Sequence, residues 1–427
     1  MRISTTEFVA IMAMLVATVA ISIDGMLPAL TIIADELTPL RPNNAQMVLS
    51  SFVAGMAMGT LIVGPLSDSY GRKPIIYYGA ALYILTSAVC ILSQSFEVIL
   101  ISRFLQGVGA SAPRVVAQAL VRDFYQGREM ARISSFIMII FALVPAIAPL
   151  LGSFVMLAFH WRAIFFMFIG FVAISTIWMG LRIDESIASE KRIEFNLKHL
   201  SSAFTEVISN PIIATSIITL VFAYGVLFVG IFLIQPVFEQ VFERSDTFPY
   251  WFAAIALLAA SSSYVNAQLV RRLGMRMLTN IAFRAQACFS ALIFLVFWLG
   301  YFEVQFGFFC FLFWMFTIFF QAGLTMGNLT ALAMEPVGHI AGTAASLISS
   351  IATIGSVLLA AGVGQFFDGT PTAMIVGVAL LASLGAISSH QLIFLSVFLG
   401  NKKLILLELY SKKVAFLPPT TISKSKL

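Results

Sequence analysis

Long apolar runs, separated by short polar connections, dominate the chain and set its elements. A membrane-crossing helix needs about 20 mostly apolar residues. Such stretches lie near 8–33, 46–66, 74–95, 98–120, 133–158 and 162–181. Six more lie near 211–237, 248–270, 277–300, 304–330, 340–366 and 372–399. The longest break, 182–210, is rich in Lys, Arg, Asp and Glu and divides the chain into six helices plus six. The pattern predicts an all-α polytopic membrane protein of twelve transmembrane helices. Its expected divisions are a bundle over 1–182, a cytoplasmic linker over 183–210, a second bundle over 211–400 and a basic tail over 401–427. The apolar start, Phe8 to Ile23, is followed by more apolar chain to Ala34. It therefore reads as the first crossing and not as a cleaved signal.

Composition agrees with this reading. Hydrophobic residues make up 60% of the 427 and charged residues only 11%, against roughly 25% charged in a soluble domain. Cys90, Cys288 and Cys310 all lie inside apolar runs with no ligand spacing, which argues against a disulfide framework or a metal site. No G-x-x-x-x-G-K-S/T loop occurs, so neither ATP-driven transport nor any other cofactor is expected, and no hydrolytic nucleophile constellation points to an enzyme.

The net charge of +5 acquires meaning from its placement. With the N-terminus in the cytoplasm, nineteen of the 25 Lys and Arg fall in cytoplasmic connections and tails. Only Arg41, Arg162 and Arg244 fall on the outer side, and Arg103, Arg114 and Arg284 fall within spans. This asymmetry orients the bundle and leaves no basic surface that needs a nucleic acid. The even count returns the lysine-bearing tail to the cytoplasm, where it could lie on the anionic leaflet or remain disordered.

An internal repeat supports two related halves. Gly64-Pro65-Leu66-Ser67-Asp68-Ser69-Tyr70-Gly71-Arg72-Lys73-Pro74 joins spans two and three. The connection between spans eight and nine matches it at an offset of 203, pairing Leu66 with Leu269, Gly71 with Gly274 and Lys73 with Arg276. Two pseudo-symmetric six-helix bundles of this kind are expected to rock about a site between them.

The Gly64–Pro74 loop resembles the signature loop of the major facilitator superfamily. Arg103-Phe104-Leu105-Gln106-Gly107 resembles that superfamily's helix-4 motif, and Ala148-Pro149-Leu150-Leu151-Gly152 the proline–glycine motif of its antiporters. Ser22 to Leu30 and His339 to Ser346 are similar to segments of the bicyclomycin-resistance (Bcr/CflA) type of drug:proton antiporter. The likeness covers about residues 8–390.

Several residues carry candidate chemistry. Asp24 alone among the twenty acidic residues lies deep in a span. A charge there costs about 2.5–3.5 kcal/mol even on the lenient insertion scale. The functional reading is a carboxyl that takes up a proton outside and releases it inside; the structural one is an interhelical hydrogen bond. Arg103 falls within about 5 Å of the same depth, counting 1.5 Å per residue, so an ion pair with Asp24, direct or across the cavity, is open to it. The resemblance gives Arg103 a role in proton coupling. Arg114 follows by eleven residues on the same helix face, either lining a cavity or reaching to the interface. Gln235, Gln321 and Asn328 are further candidate cavity residues.

The resemblance also implies a cytoplasmic gate at Gly64, Asp68, Gly71, Arg72 and Lys73, with an acid facing the start of span eleven, where the helix dipole favours negative charge. Pro145, Pro149 and Gly152 are expected to bend span five. Together these readings point to a proton-coupled multidrug efflux transporter of the bacterial inner membrane. It would exchange lipophilic or cationic small molecules for protons by alternating access, and work as a monomer in the lipid bilayer. The alternative is a facilitator moving a specific metabolite by symport or uniport; a channel or scaffold fits the doubled loop poorly. Export, as opposed to import, follows only from the resemblance.

Overall fold

A computed structural model describes residues 3–188, 190, 192, 196–300 and 304–415. Arg2, Lys191, Lys424 and Lys426, counted in the charge asymmetry, lie outside the described residues, as does 416–427 of the expected tail. Every regular element described is helical.

The first crossing is broken. Helix α1 (Thr5–Asp24) ends at Asp24, a 3-10 turn covers Leu27–Ala29, and α2 (Leu30–Leu37) completes the span. The cause is local. Pro28 has no N–H to offer the Asp24 carbonyl four residues back. Met26 N–H donates to the Ile23 carbonyl, three residues back, at 3.2 Å.

The first half continues with α3 (Met47–Tyr70), α4 (Arg72–Leu92), α5 (Phe96–Phe124), α6 (Gly127–Ala158) and α7 (Ala163–Arg182). The second contains α9 (Pro211–Gln240), α10 (Phe248–Ala259), α11 (Ser261–Trp298), α12 (Val304–Met334), α13 (Ala341–Gln365) and α14 (Thr372–Ala415). Among the described residues, nine stretches are long and apolar enough to cross a membrane. Two of them, Ser245–Trp298 and Gln305–Gln365, each hold two crossings. With α5, whose apolar run is interrupted by Arg103, Gln106 and Arg114, the crossings number twelve.

The repeat is visible in the backbone. Gly71 has φ +101 and ψ 158, and Gly274 has φ +75 and ψ 161. Each glycine adopts a conformation that an L side chain rarely reaches, and each separates two consecutive crossings. Packing repeats as well. Between the halves, α3 meets α13 and α6 meets α10. These are spans two with eleven and five with eight, which a pseudo-two-fold axis exchanges.

Close approach inside the first half depends on missing side chains. A Cβ at Gly55 of α3 would overlap the Phe104 carbonyl of α5, and one at Gly107 would overlap the Phe52 carbonyl. Small residues at crossing points allow such contact where no hydrophobic effect drives helices together.

Two features depart from the pattern-based reading. The 183–210 segment includes a helix, α8 (Leu197–Ser209), which packs Ala203 and Val207 inward. The last helix continues without a break to Ala415, so the backbone of 401–415 belongs to it.

Candidate functional site

Asp24 is 4% exposed and lines a cavity of about 680 Å³ between the halves. Ala20 of α1 and Met138 and Pro145 of α6 form one wall; Ile231 of α9, Ser262 of α11 and Phe319 of α12 form the other. Asp24 makes no ion pair among the described residues.

Arg103 of α5 is fully buried near the same level. Its guanidinium donates to the Ser22 carbonyl (2.9 Å), the Val48 carbonyl (3.1 Å) and Gln106 Oε1 (2.5 Å). Its carbon stands 4.5 Å from the centre of the Phe52 ring. The direct ion pair with Asp24 that depth alone left open is therefore replaced by a contact two residues earlier. The break after Asp24 explains it, because the Ser22 carbonyl sits in the last turn of α1, where an orphan acceptor needs a donor. A polar chain extends outward from this centre. Gln106 donates to Ser87 Oγ at 2.5 Å, and Ser22 and Tyr83 share a hydroxyl–hydroxyl bond of 2.5 Å. Tyr83 and Ser87 escaped sequence reasoning; their one signal was a polar group inside an apolar span.

At the other glycine-bearing end, Arg72 and Lys73 begin α4. Glu185, just after α7, accepts both of their backbone N–H groups at 2.9 Å. The Arg72 side chain donates to Asp68 (2.5 Å), to Asp123 (2.9 Å) and to Ser67 Oγ (2.7 Å). Lys73 Nζ donates to the Gly180 carbonyl at 2.8 Å. Asp68 is thus engaged by Arg72, while it is Gly64 that faces α13, near Ser346. Asp123 and Glu185 were not foreseen, since acids at span ends are common. In the second half, Arg276 reaches Glu335 at 3.3 Å.

Pro145 and Pro149 sit within a continuous α6. Gly152, one turn on from Pro149, presses on the backbone of Gly25. Arg114 is half-buried, with Nη1 3.2 Å from Met56 Sδ. Asn328 bonds Asn266 and the Leu324 carbonyl. Gln235 bonds Ser245 through Nε2 only, and neither side-chain polar atom of Gln321 has a partner among the described residues.

Away from the Arg72 end, the two halves clasp each other. Asn43 donates to the carbonyls of Gln365 (3.1 Å) and Phe367 (2.7 Å), and Thr31 donates to Glu239.

A family model described as "Major Facilitator Superfamily" matches residues 9–360. The chain belongs to the major facilitator superfamily. Among its relatives is the bicyclomycin resistance protein homolog of Haemophilus influenzae, 29% identical over 356 residues, covering 82% of this chain and 86% of that one. The multidrug resistance protein MdtL of Escherichia coli O157:H7 is 41% identical over 128 residues, 30% of this chain and 33% of its own. The crystal structure of a D-xylose-proton symporter overlays with a TM-score of 0.69 at 12% identity, covering 91% of this chain and 96% of that one. At that identity it supports the fold alone: this facilitator is a multi-pass membrane transporter by family, with twelve helices in two bundles.

Proposed function

We propose that this chain is a drug:proton antiporter that exports lipophilic or cationic small molecules. The observation that carries the reading is Asp24: a buried carboxyl, without an ion pair among the described residues, on the wall of a cavity shared by both halves. Such a group is costly in a membrane unless it is used. Relatives named for bicyclomycin resistance and multidrug resistance support drugs as the cargo and export as the direction.

In this reading the protein sits in a bacterial inner membrane with both termini cytoplasmic, and works as a monomer. Residues 1–182 and 211–400 rock as units, joined by the 183–210 linker. The Asn43 end is then the outer face, and its clasp closes that side. Cargo enters the cavity from the opposite side, among Met138, Ile231 and Phe319. Proton binding at Asp24 favours release of a cationic cargo, and proton loss to the cytoplasm resets the cycle. Arg103 acts through the backbone, holding Ser22 and with it the end of α1 that presents Asp24.

Gly64, Asp68, Gly71, Arg72 and Lys73 form the cytoplasmic gate, with Arg72 held by Asp123 and its helix start by Glu185. Pro145, Pro149 and Gly152 bring α6 onto Gly25, so that α6 and the Asp24 break move together. Arg114, Gln321 and Asn328 lie off the wall of the Asp24 cavity, whose polar lining beside Asp24 is Ser135, Ser262 and Ser263.

The test is accumulation of a fluorescent cationic dye in cells with and without the protein. The protein should lower accumulation, a proton uncoupler should erase the difference, and Asp24→Asn should erase it while insertion stays normal. Full, uncoupler-sensitive efflux by Asp24→Asn would defeat the coupling assignment. Absent or uncoupler-insensitive efflux would favour the alternative, a facilitator that moves a specific metabolite by symport or uniport.

A further inference from the structure

A second cavity lies between the same two bundles, nearer the Asn43 end than Asp24. It measures about 440 Å³, within the range of small-molecule sites, and does not include Asp24. Leu150, Phe154 and Leu157 of α6 form one side; Pro249 and Tyr250 of α10 form the other. Its polar groups are Ser153, Gln235, Ser245, Asp246 and the Tyr250 hydroxyl.

Two observations give this cavity a charge preference. Asp246 is the sole charged residue lining it, is exposed, and makes no ion pair among the described residues. The nearest cation in sequence, Arg244, is turned away, with its guanidinium 4.4 Å from the centre of the Phe308 ring. A third observation gives a hydrogen-bond preference. Gln235 is 1% exposed, its Nε2 is held by Ser245 at 3.1 Å, and its Oε1 has no partner among the described residues. A buried acceptor left without a donor is unfavourable, and a ligand N–H that reaches it relieves the cost.

We propose that this cavity binds a lipophilic protonated amine. The ammonium lies near Asp246, a turn of the Gln235 amide brings the sealed Oε1 to one of its N–H groups, and the apolar body lies between Phe154, Leu157 and Tyr250. Aromatic faces at the rim add attraction for a cation. A carboxylate and a lone acceptor select a cation that carries N–H groups over a quaternary one. The same chemistry is offered by a free amphiphilic amine and by the ethanolamine headgroup of a lipid. As a station on the route of release the cavity would rest on the export reading; as a binding site it does not.

The experiment uses the full-length protein carrying Asp24→Asn, in phosphatidylcholine nanodiscs, titrated with dansylcadaverine. Saturable binding is expected, weakened about three-fold by Asp246→Asn, the size of one exposed charge interaction, and removed by Ser153→Trp, whose indole obstructs the cavity. Weaker apparent binding in phosphatidylethanolamine discs supports the site with lipid as its occupant; equal binding supports it with the free amine. No saturable binding, or binding that neither Asp246→Asn nor Ser153→Trp alters, overturns the proposal.

Discussion

Gly152 of α6 lies so close to Gly25 that a Cβ on Gly152 would overlap the Gly25 carbonyl oxygen. Gly25 directly follows Asp24, at the point where the first crossing breaks. The glycine that the resemblance placed in a bending motif is therefore the residue on which the Asp24 turn rests.

Gly152→Ala should push α6 away from that turn. Overpacking of this kind costs about 1–3 kcal/mol. The expected result is a lower melting temperature in detergent and strongly reduced dye efflux at normal expression. Wild-type efflux by Gly152→Ala would show that this contact is not needed for transport.

Arg103 serves three acceptors on three different elements, and a fork of fixed geometry is what permits it. Arg103→Lys keeps the charge but loses the fork. At least one buried acceptor should go unpaired, at about 1–3 kcal/mol. Both thermal stability and proton-coupled efflux should fall. If lysine preserved both, Arg103 would be acting as a plain charge and not through the Ser22 and Val48 carbonyls.

Glu185 caps α4 through two backbone N–H groups. Glu185→Ala should weaken that helix start by about 1 kcal/mol, as loss of a cap does. Amide hydrogen exchange at Arg72, Lys73 and Ile75 should speed up several-fold, about the factor that 1 kcal/mol implies, while the Asn43 end stays unchanged. Unaltered exchange at those amides would remove Glu185 from the gate.

Asn43 links the halves through two carbonyls. Asn43→Ala removes both bonds, each worth about 0.5–1.5 kcal/mol, so the equilibrium should shift towards a form open at that end. The readout is labelling of Ala45→Cys, buried at 2% exposure, by a membrane-impermeant maleimide in a background lacking the native cysteines. Labelling should accelerate in Asn43→Ala cells. An unchanged rate would mean that the remaining contacts, Thr31 with Glu239 among them, hold that face closed by themselves.

Much of this protein follows from the order of its residues. Apolar runs of crossing length need no knowledge of neighbours, because a bilayer accepts only segments that satisfy their own backbone. Asp24 stood out for the same reason, as a charge that hydrocarbon penalises wherever its helix packs. Gly71 and Gly274 could be matched because a positive φ is a local demand that glycine meets locally.

The partners of Arg103 could not be read that way. Counting 1.5 Å per residue fixes how deep a side chain lies, but not which neighbour it faces. The depth estimate brought Arg103 level with Asp24, yet the packed bundle turned it to the Ser22 carbonyl, in the last turn before the break at Gly25 and Pro28. Asp123 and Glu185 joined Arg72, and Asn43 met Gln365, across 51, 113 and 322 positions of chain. Depth accumulates along one helix and is written in its sequence. Azimuth and close approach depend on where several helices touch, and only the packed tertiary structure decides them.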